Sequence, residues 1–240
     1  MSRVAIVAAL EREVRPLIKD WRVTEKVVEG RRFRFFEKDD SVVVCGGIGA
    51  EAARRAAEAV IAIYAPTVIY SAGFAGALDP ALKVGDVVRP GRVVNAGDGS
   101  SVNLDQGEGV LVTFGSVASP EQKAKVRDSF GAQAVDMEAA AVARAAAARG
   151  IGFAVVKVIS DEFDFSFPSM DRFVDAEGRF LRGRFAWFTA LRPWLWPKVA
   201  RLAGNSNRAS LTLCRWLRAM MDAISMSSDG RTVETSIVRE

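Results

Sequence analysis

Short β-branched runs alternate along this chain with alanine-rich helical stretches, and glycines or acids mark the joins. That alternation restricts the chain to an α/β fold built on a central sheet. Val4–Ala9 reads as a buried strand, with a helix starting near Glu11. Val42–Cys45 is a second strand; it runs into Gly46-Gly47-Ile48-Gly49 and then a helix over Ala50–Tyr64 with glutamates and arginines on its outer face. Pro66 ends that helix, and Thr67–Tyr70 forms a strand entering Ser71-Ala72-Gly73-Phe74-Ala75-Gly76. Val84–Val88, Gly91–Val94 and Gly109–Phe114 look like strands, and Glu121–Phe130 and Met137–Arg149 like helices. Phe153–Ile159 reads as a continuous apolar strand buried on both faces, and it ends at Ser160-Asp161. Ligands of such sheets gather where strands end, so the glycine loops and Asp161 are expected to face one site.

Composition narrows the chemistry. The chain has no histidine, which removes Ser–His–Asp and Cys–His nucleophile systems, H-E-x-x-H zinc sites and every imidazole acid–base scheme. Catalysis must rest on carboxylates, hydroxyls, backbone groups or Lys and Arg. Cys45 and Cys214 lie far apart without C-x-x-C spacing and read as two reduced thiols of a cytoplasmic protein. The formal charge of +4 is too weak a bias to imply nucleic acid. The first apolar run is broken by Glu11, Arg12 and Glu13 before a cleavage site could be placed, and no run is long enough to span a membrane. After about Phe165 the character changes. Residues 171–220 hold ten Lys/Arg against three Asp/Glu, together with Trp187, Trp194, Trp196 and Trp216. The expected organisation is a catalytic core over 1–165 and a basic, Trp-rich helical extension of the same domain over 166–240, polar and frayed from Ser225 on.

Three acidic segments stand at predicted strand ends. Ala9-Leu10-Glu11-Arg12-Glu13-Val14 places carboxylates where a strand becomes a helix, which the helix dipole favours without any function. Ala134-Val135-Asp136-Met137-Glu138-Ala139 precedes a helix, so capping is an alternative for Asp136. Val158-Ile159-Ser160-Asp161-Glu162-Phe163-Asp164 closes a buried strand, and an Asp there is harder to read as solvated surface. Gly46-Gly47-Ile48-Gly49 could cradle an anion or form a structural turn; it matches neither G-x-G-x-x-G nor the P-loop.

Taken together, A-L-E-R-E-V, G-G-I-G-A-E-A-A, S-A-G-F-A-G-A-L-D-P-A-L-K-V-G-D-V, V-D-M-E-A-A-A-V-A and V-I-S-D-E-F-D are collinear over residues 5–164. In order and spacing they resemble the purine nucleoside phosphorylase/nucleosidase superfamily, particularly 5′-methylthioadenosine/S-adenosylhomocysteine nucleosidases. The resemblance implies a three-layer αβα fold around a central mixed sheet, and cleavage of the N-glycosidic bond of an adenine nucleoside without metal or cofactor. It casts Asp161 as the acid that protonates or hydrogen-bonds purine N7, and Ser160 as a substrate-binding residue. It gives Glu138 the ribose hydroxyls, Met137 the sugar face, and Glu13 the attacking water. The base is expected near Ser116–Ser119, Val117 included; Gly73 and Phe74 belong to the sugar and nucleophile region. Phe153 either closes the base pocket or packs in the core. A homodimer is implied as well.

Phosphorylases of the superfamily usually carry an Arg and a Ser/Thr for phosphate within this glycine run. Ser71 and Phe74 stand there instead, which favours water as nucleophile. The C-terminal third, D-A-E-G-R-F followed by R-P-W-L-W-P-K-V-A-R-L-A, more loosely resembles hopanoid-associated phosphorylases, implying removal of adenine from an adenosyl-hopane lipid. A Trp-rich basic segment then suits contact with the inner face of an anionic membrane; the alternative is that these tryptophans complete the core or a dimer interface. A third reading, from another class, is an inactive nucleoside-binding or membrane-peripheral protein that kept the fold.

Overall fold

A computed structural model describes residues 3–116, 118–165, 170–175 and 178–228. The first half of the chain forms β1 (Val4–Ala8), α1 (Glu11–Ile18), β2 (Arg22–Val28), β3 (Arg31–Lys38), β4 (Ser41–Cys45), α2 (Ala50–Tyr64) and β5 (Val68–Ala77). The short strands β6 (Val87–Val88), β7 (Arg92–Asn95), β8 (Ser101–Asn103) and β9 (Val110–Thr113) follow. Then come α3 (Pro120–Phe130), β10 (Ala134–Asp136), α4 (Ala139–Ala147), β11 (Gly152–Asp161), α5 (Arg182–Ala190) and α6 (Trp196–Ser228).

The strands make one mixed sheet in the order β2-β3-β4-β1-β5-β10-β9-β7-β8, with β11 paired to β5 and β6. β1 lies parallel between β4 and β5, and β11 runs parallel to β5 over almost its whole length. Alternation along β1 shows why two helical layers are needed. Val4, Ile6 and Ala8 pack with Val14 and Leu17 of α1 and Leu213 and Leu217 of α6. Ala5 and Val7 face the other way, against Ala53, Ala57 and Val60 of α2 and Val142 and Ala146 of α4. The alanines of α2 and α4 let these helices approach the sheet closely. The layers are therefore αβα, as expected.

The sequence and the structure differ in several places. The hairpin β2–β3 has no counterpart among the strands read from sequence. β5 continues through Ser71–Gly76, a run that reads as a loop, so Gly73 and Phe74 are strand residues. Their small neighbours are needed because β5 is flanked by β1, β10 and β11. Of Val84–Val88 only Val87 and Val88 are strand. β11 is not continuously apolar: Lys157 sits at its centre, buried. The long α6 continues to Ser228, past the expected fraying point at Ser225, and its Trp216 packs against the core beside Tyr70. Trp187, Trp194 and Trp196 stay exposed. No helix among the described residues is long and apolar enough to cross a membrane.

Candidate active site

The carboxyl ends of β1, β5, β10 and β11, with the segment that follows β9, surround a cleft of about 180 Å³. Its lining includes Glu13, Phe74, Gly76, Ser116, Ala118, Lys123, Asp136, Met137, Glu138, Ser160 and Asp161. Four acids thus converge on one cavity: Glu13 from α1, Asp136 from the end of β10, Glu138 from the start of α4 and Asp161 from the end of β11. It adjoins a larger open cleft of about 980 Å³ that shares Ala9, Leu10, Arg12 and Phe180 and is also lined by Arg31, Arg34 and Arg179.

Each acid is held differently. Asp136, closing β10, accepts from the Ala139 N–H at 2.8 Å and from Thr113 Oγ1 at 2.7 Å. It therefore caps α4, as its sequence position allows. It also receives Lys157 Nζ at 2.8 Å. Glu138 is next in line: its Oε1 accepts from the Gly49 N–H at 2.9 Å, and its Oε2 lies 3.8 Å from Lys157 Nζ. The glycine loop does cradle an anion, and that anion is the protein's own carboxylate. Gly49 has φ +96°, a backbone that other residues rarely adopt, and it puts this N–H where Glu138 needs it.

Glu13 is the least satisfied member. It is buried, and its Oε2 has no partner among the described residues. Burial first, and the facing Glu138 second, push its carboxyl up from 4.5 to about 7, against the weaker pull of Lys157 and Arg12. Burial also raises Glu138; Lys157 opposes the rise and Asp136 adds to it. For Lys157 burial alone favours the neutral amine, but Asp136 and Glu138 outweigh it and hold the ammonium above its ordinary range. Gly73 fits beside this group because it lacks a side chain: a Cβ there would stand 3.0 Å from Glu13 Oε2 and 3.7 Å from Lys157 Nζ.

Asp161 lies across the pocket at the end of β11. Its Oδ1 accepts from Ser160 Oγ at 2.9 Å, and its Oδ2 receives Lys123 Nζ at 2.6 Å. The sequence implies an apolar setting; the structure supplies a lysine. Lys123 is carried by α3, which Ser119 starts with a capping box: Ser119 Oγ accepts from the Gln122 N–H, and Gln122 Oε1 accepts from the Ser119 N–H. Glu13, Glu138, Met137, Ser160, Phe74 and Asp161 therefore all line one pocket, with Gly73 beneath it. Val117 lies outside the described residues. Phe153 is a correction. It is at the opposite end of β11 from Asp161, eight residues away along the strand, and packs against two core clusters there.

Lys123 and Lys157 were missed by sequence reasoning. Lys157 left one signal, a charge inside an apolar strand, which cannot be buried without a partner. Ser71 is buried with its hydroxyl unpartnered among the described residues.

Known proteins resemble this chain in sequence and in fold. The 5′-methylthioadenosine/S-adenosylhomocysteine nucleosidase of Staphylococcus aureus is 28% identical over 196 residues, covering 66% of this chain and 86% of the relative. The corresponding nucleosidase of Colwellia psychrerythraea, solved in complex with adenine, is 26% identical with TM-score 0.59, covering 67% of this chain and 83% of that one. Futalosine hydrolase of Helicobacter pylori shares the fold over more of the molecule: TM-score 0.68 at 18% identity, covering 92% of this chain and 98% of the other. The family model described as the phosphorylase superfamily matches residues 3–112 and 99–180, and the chain belongs to that superfamily.

Proposed function

We propose that this protein hydrolyses the N-glycosidic bond of an adenine nucleoside of the 5′-methylthioadenosine/S-adenosylhomocysteine type and releases adenine. The convergence of Glu13, Glu138 and Asp161 on one pocket carries the reading. A purine anion is a poor leaving group, so a proton delivered to N7 lowers the barrier; Asp161, steadied by Ser160, is the acid in reach of the base. The base then lies against Ser116, Ala118 and Val135, and the ribose against Met137 and Glu138. As the bond breaks the sugar gains oxocarbenium character, which the Glu138 carboxylate stabilises while holding the hydroxyls. Glu13, raised to about 7, is matched to taking a proton from water near neutral pH. The run Ser71–Gly76 contains no arginine, which favours water over phosphate. The scheme draws on no metal and no organic cofactor, and the nucleosidases of S. aureus and C. psychrerythraea support the substrate class.

Adenine release from 5′-methylthioadenosine, with and without phosphate, tests the reading. Activity indifferent to phosphate supports hydrolysis. If no adenosine derivative loses its base, the inactive nucleoside-binding alternative stands instead. Asp161→Asn is expected to lose turnover while still binding the nucleoside, and full activity in that variant refutes the assigned acid. The homodimer expected from the resemblance belongs to the same proposal and is checked by light scattering.

A second reading, an adenine nucleoside linked to a lipid such as adenosyl-hopane, is favoured by one observation. Trp187 and Trp194 are each 71% exposed and Trp196 57%, near exposed Arg184 and Lys198. Aromatic rings with basic neighbours suit the inner face of an anionic membrane. The adjoining 980 Å³ cleft gives a large 5′ substituent room. Turnover of a long-chain 5′-substituted adenosine, and pelleting with anionic liposomes that a Trp194→Ala/Trp196→Ala variant loses, would favour this reading. Equal absence of pelleting in both proteins removes the membrane contact.

A further inference from the structure

We infer that Lys123 and Asp161 form a single acid, in which Lys123 stores the proton that Asp161 passes to the base. The inference rests on the reading of Asp161 as the leaving-group acid and adds a positioning residue that acts through it. Lys123 is an unusual residue where it stands. It is the fourth residue of α3 counted from Pro120, near the positive end of the helix dipole, where a cation is disfavoured. Its side chain is only 2% exposed, so desolvation disfavours it further. Two acceptors offset this: Asp161 Oδ2 at 2.6 Å and the Glu162 carbonyl at 2.8 Å. Yet Lys123 also lines the pocket. A long apolar side chain would fill the same space without either penalty, so a buried lysine here is better explained by chemistry than by packing.

The other charged groups about the pair do not substitute for it. Glu162 is engaged by Arg201 of α6 at 2.9 Å, and Arg127 of α3 lies over the Phe163 ring. Lys157 is committed to Asp136 and Glu138 on the far side of the pocket, with Glu13. Glu121 on the first turn of α3 turns to Ser119.

The C1′–N9 electron pair passes to the base, and N7 takes a proton from Asp161. That proton comes from Lys123 Nζ through Asp161 Oδ2, so the ammonium–carboxylate pair becomes a neutral amine and a carboxylate. Water adds to C1′ and loses a proton to Glu13. Solvent returns a proton to Lys123 and removes one from Glu13 as products leave, so only water is consumed. Two ionisable groups in hydrogen-bond contact exchange protons as a pair and not as either residue alone.

The test is the pH profile of kcat for adenine release from 5′-methylthioadenosine. Wild-type kcat is expected to persist at alkaline pH where that of Lys123→Met has fallen. Relative to wild type at the same pH, Lys123→Met should keep most adenine release near pH 5 and fall by about a hundredfold or more at pH 8, because a lone carboxyl has lost its proton there. KM should change by no more than a few-fold. A profile that superimposes on wild type, or that moves to higher pH, overturns the inference. Should the methionine variant fail to fold, Lys123→Arg decides: it keeps the charge but does not release a proton, so loss of kcat at unchanged KM supports the relay and wild-type kcat refutes it. Failure of the underlying reading looks different, because then wild type releases no adenine, or Asp161→Asn retains full activity.

Discussion

Glu13 stores instability in the fold, and replacing it exposes how much. A carboxyl that ionises at 4.5 in the unfolded chain and at about 7 in the folded one destabilises the fold as pH rises past 4.5. The penalty levels off above about 7. Each pH unit between those two values is worth roughly 1.36 kcal/mol, so the plateau is about 3 kcal/mol. The side chain is 5% exposed, so solvent screens little of it. Glu13→Gln removes the titration while keeping the shape, and its gain in stability should follow the same curve: under about 1 kcal/mol at pH 5 and about 3 kcal/mol at pH 8.

For a chain of this length, about 3 kcal/mol corresponds to a rise in Tm of about 6–12 °C. Urea unfolding and thermal melts of both proteins at pH 5 and pH 8 measure the difference directly. The same variant should lose hydrolysis, while wild-type turnover rises with pH up to about 7 as Glu13 becomes the base. A variant no more stable than wild type at pH 8 would refute the argument that burial and Glu138 hold this carboxyl up. A gain that is equal at both pH values would show that the stabilisation has nothing to do with ionisation.

Lys157→Met leaves Asp136 and Glu138 as buried charges without their cation; a loss of about 3–5 kcal/mol is expected in urea unfolding. A stability within about 1 kcal/mol of wild type would mean that the acids find other partners. Gly76→Ala places a Cβ 2.9 Å from Asp161 Oδ2 and 3.4 Å from Val135 Cγ1. It should lower kcat by at least about tenfold with little change in Tm, since small displacements of a reacting group are costly. Gly73→Ala presses on Glu13 Oε2 in the same way, and its defect should grow as pH rises through about 7, where the ionised base is in demand. Unchanged kinetics in either alanine variant would place the corresponding acid away from the reaction.

The two helical layers were legible because packing repeats locally: α2 and α4 show their alanine faces, and β1 and β11 their apolar runs. The β2–β3 hairpin was not, since its strands carry exposed charges such as Arg22, Glu25, Arg32 and Arg34 that break the apolar alternation, and β2 forms the edge of the sheet. Ser71–Gly76 reads as a loop because small residues signal turns by default. There they admit close approach instead: Gly73 to Glu13 and Gly76 to Asp161. Glu13, Glu138 and Asp161 were readable because each closes a strand or opens a helix, the places where an α/β sheet gathers ligands.

What sequence could not show is the partnering of these acids. Lys123 meets Asp161 across 38 residues, and Lys157 reaches Asp136 across a sheet in which β5 separates β11 from β10. A motif names one side of such a pair and is silent on the other. The distinction matters for the chemistry, because the two lysines divide the pocket. Lys157 lies with Asp136 and Glu138 and is shared between them, which leaves Glu13, unpartnered at Oε2 among the described residues, as the member the proposed scheme assigns to water. Lys123 lies with the base-side acid alone. In the proposed scheme a chain without histidine separates its acid from its base by giving Asp161 a lysine of its own, Asp136 and Glu138 a shared one, and Glu13 none within ion-pair distance among the described residues.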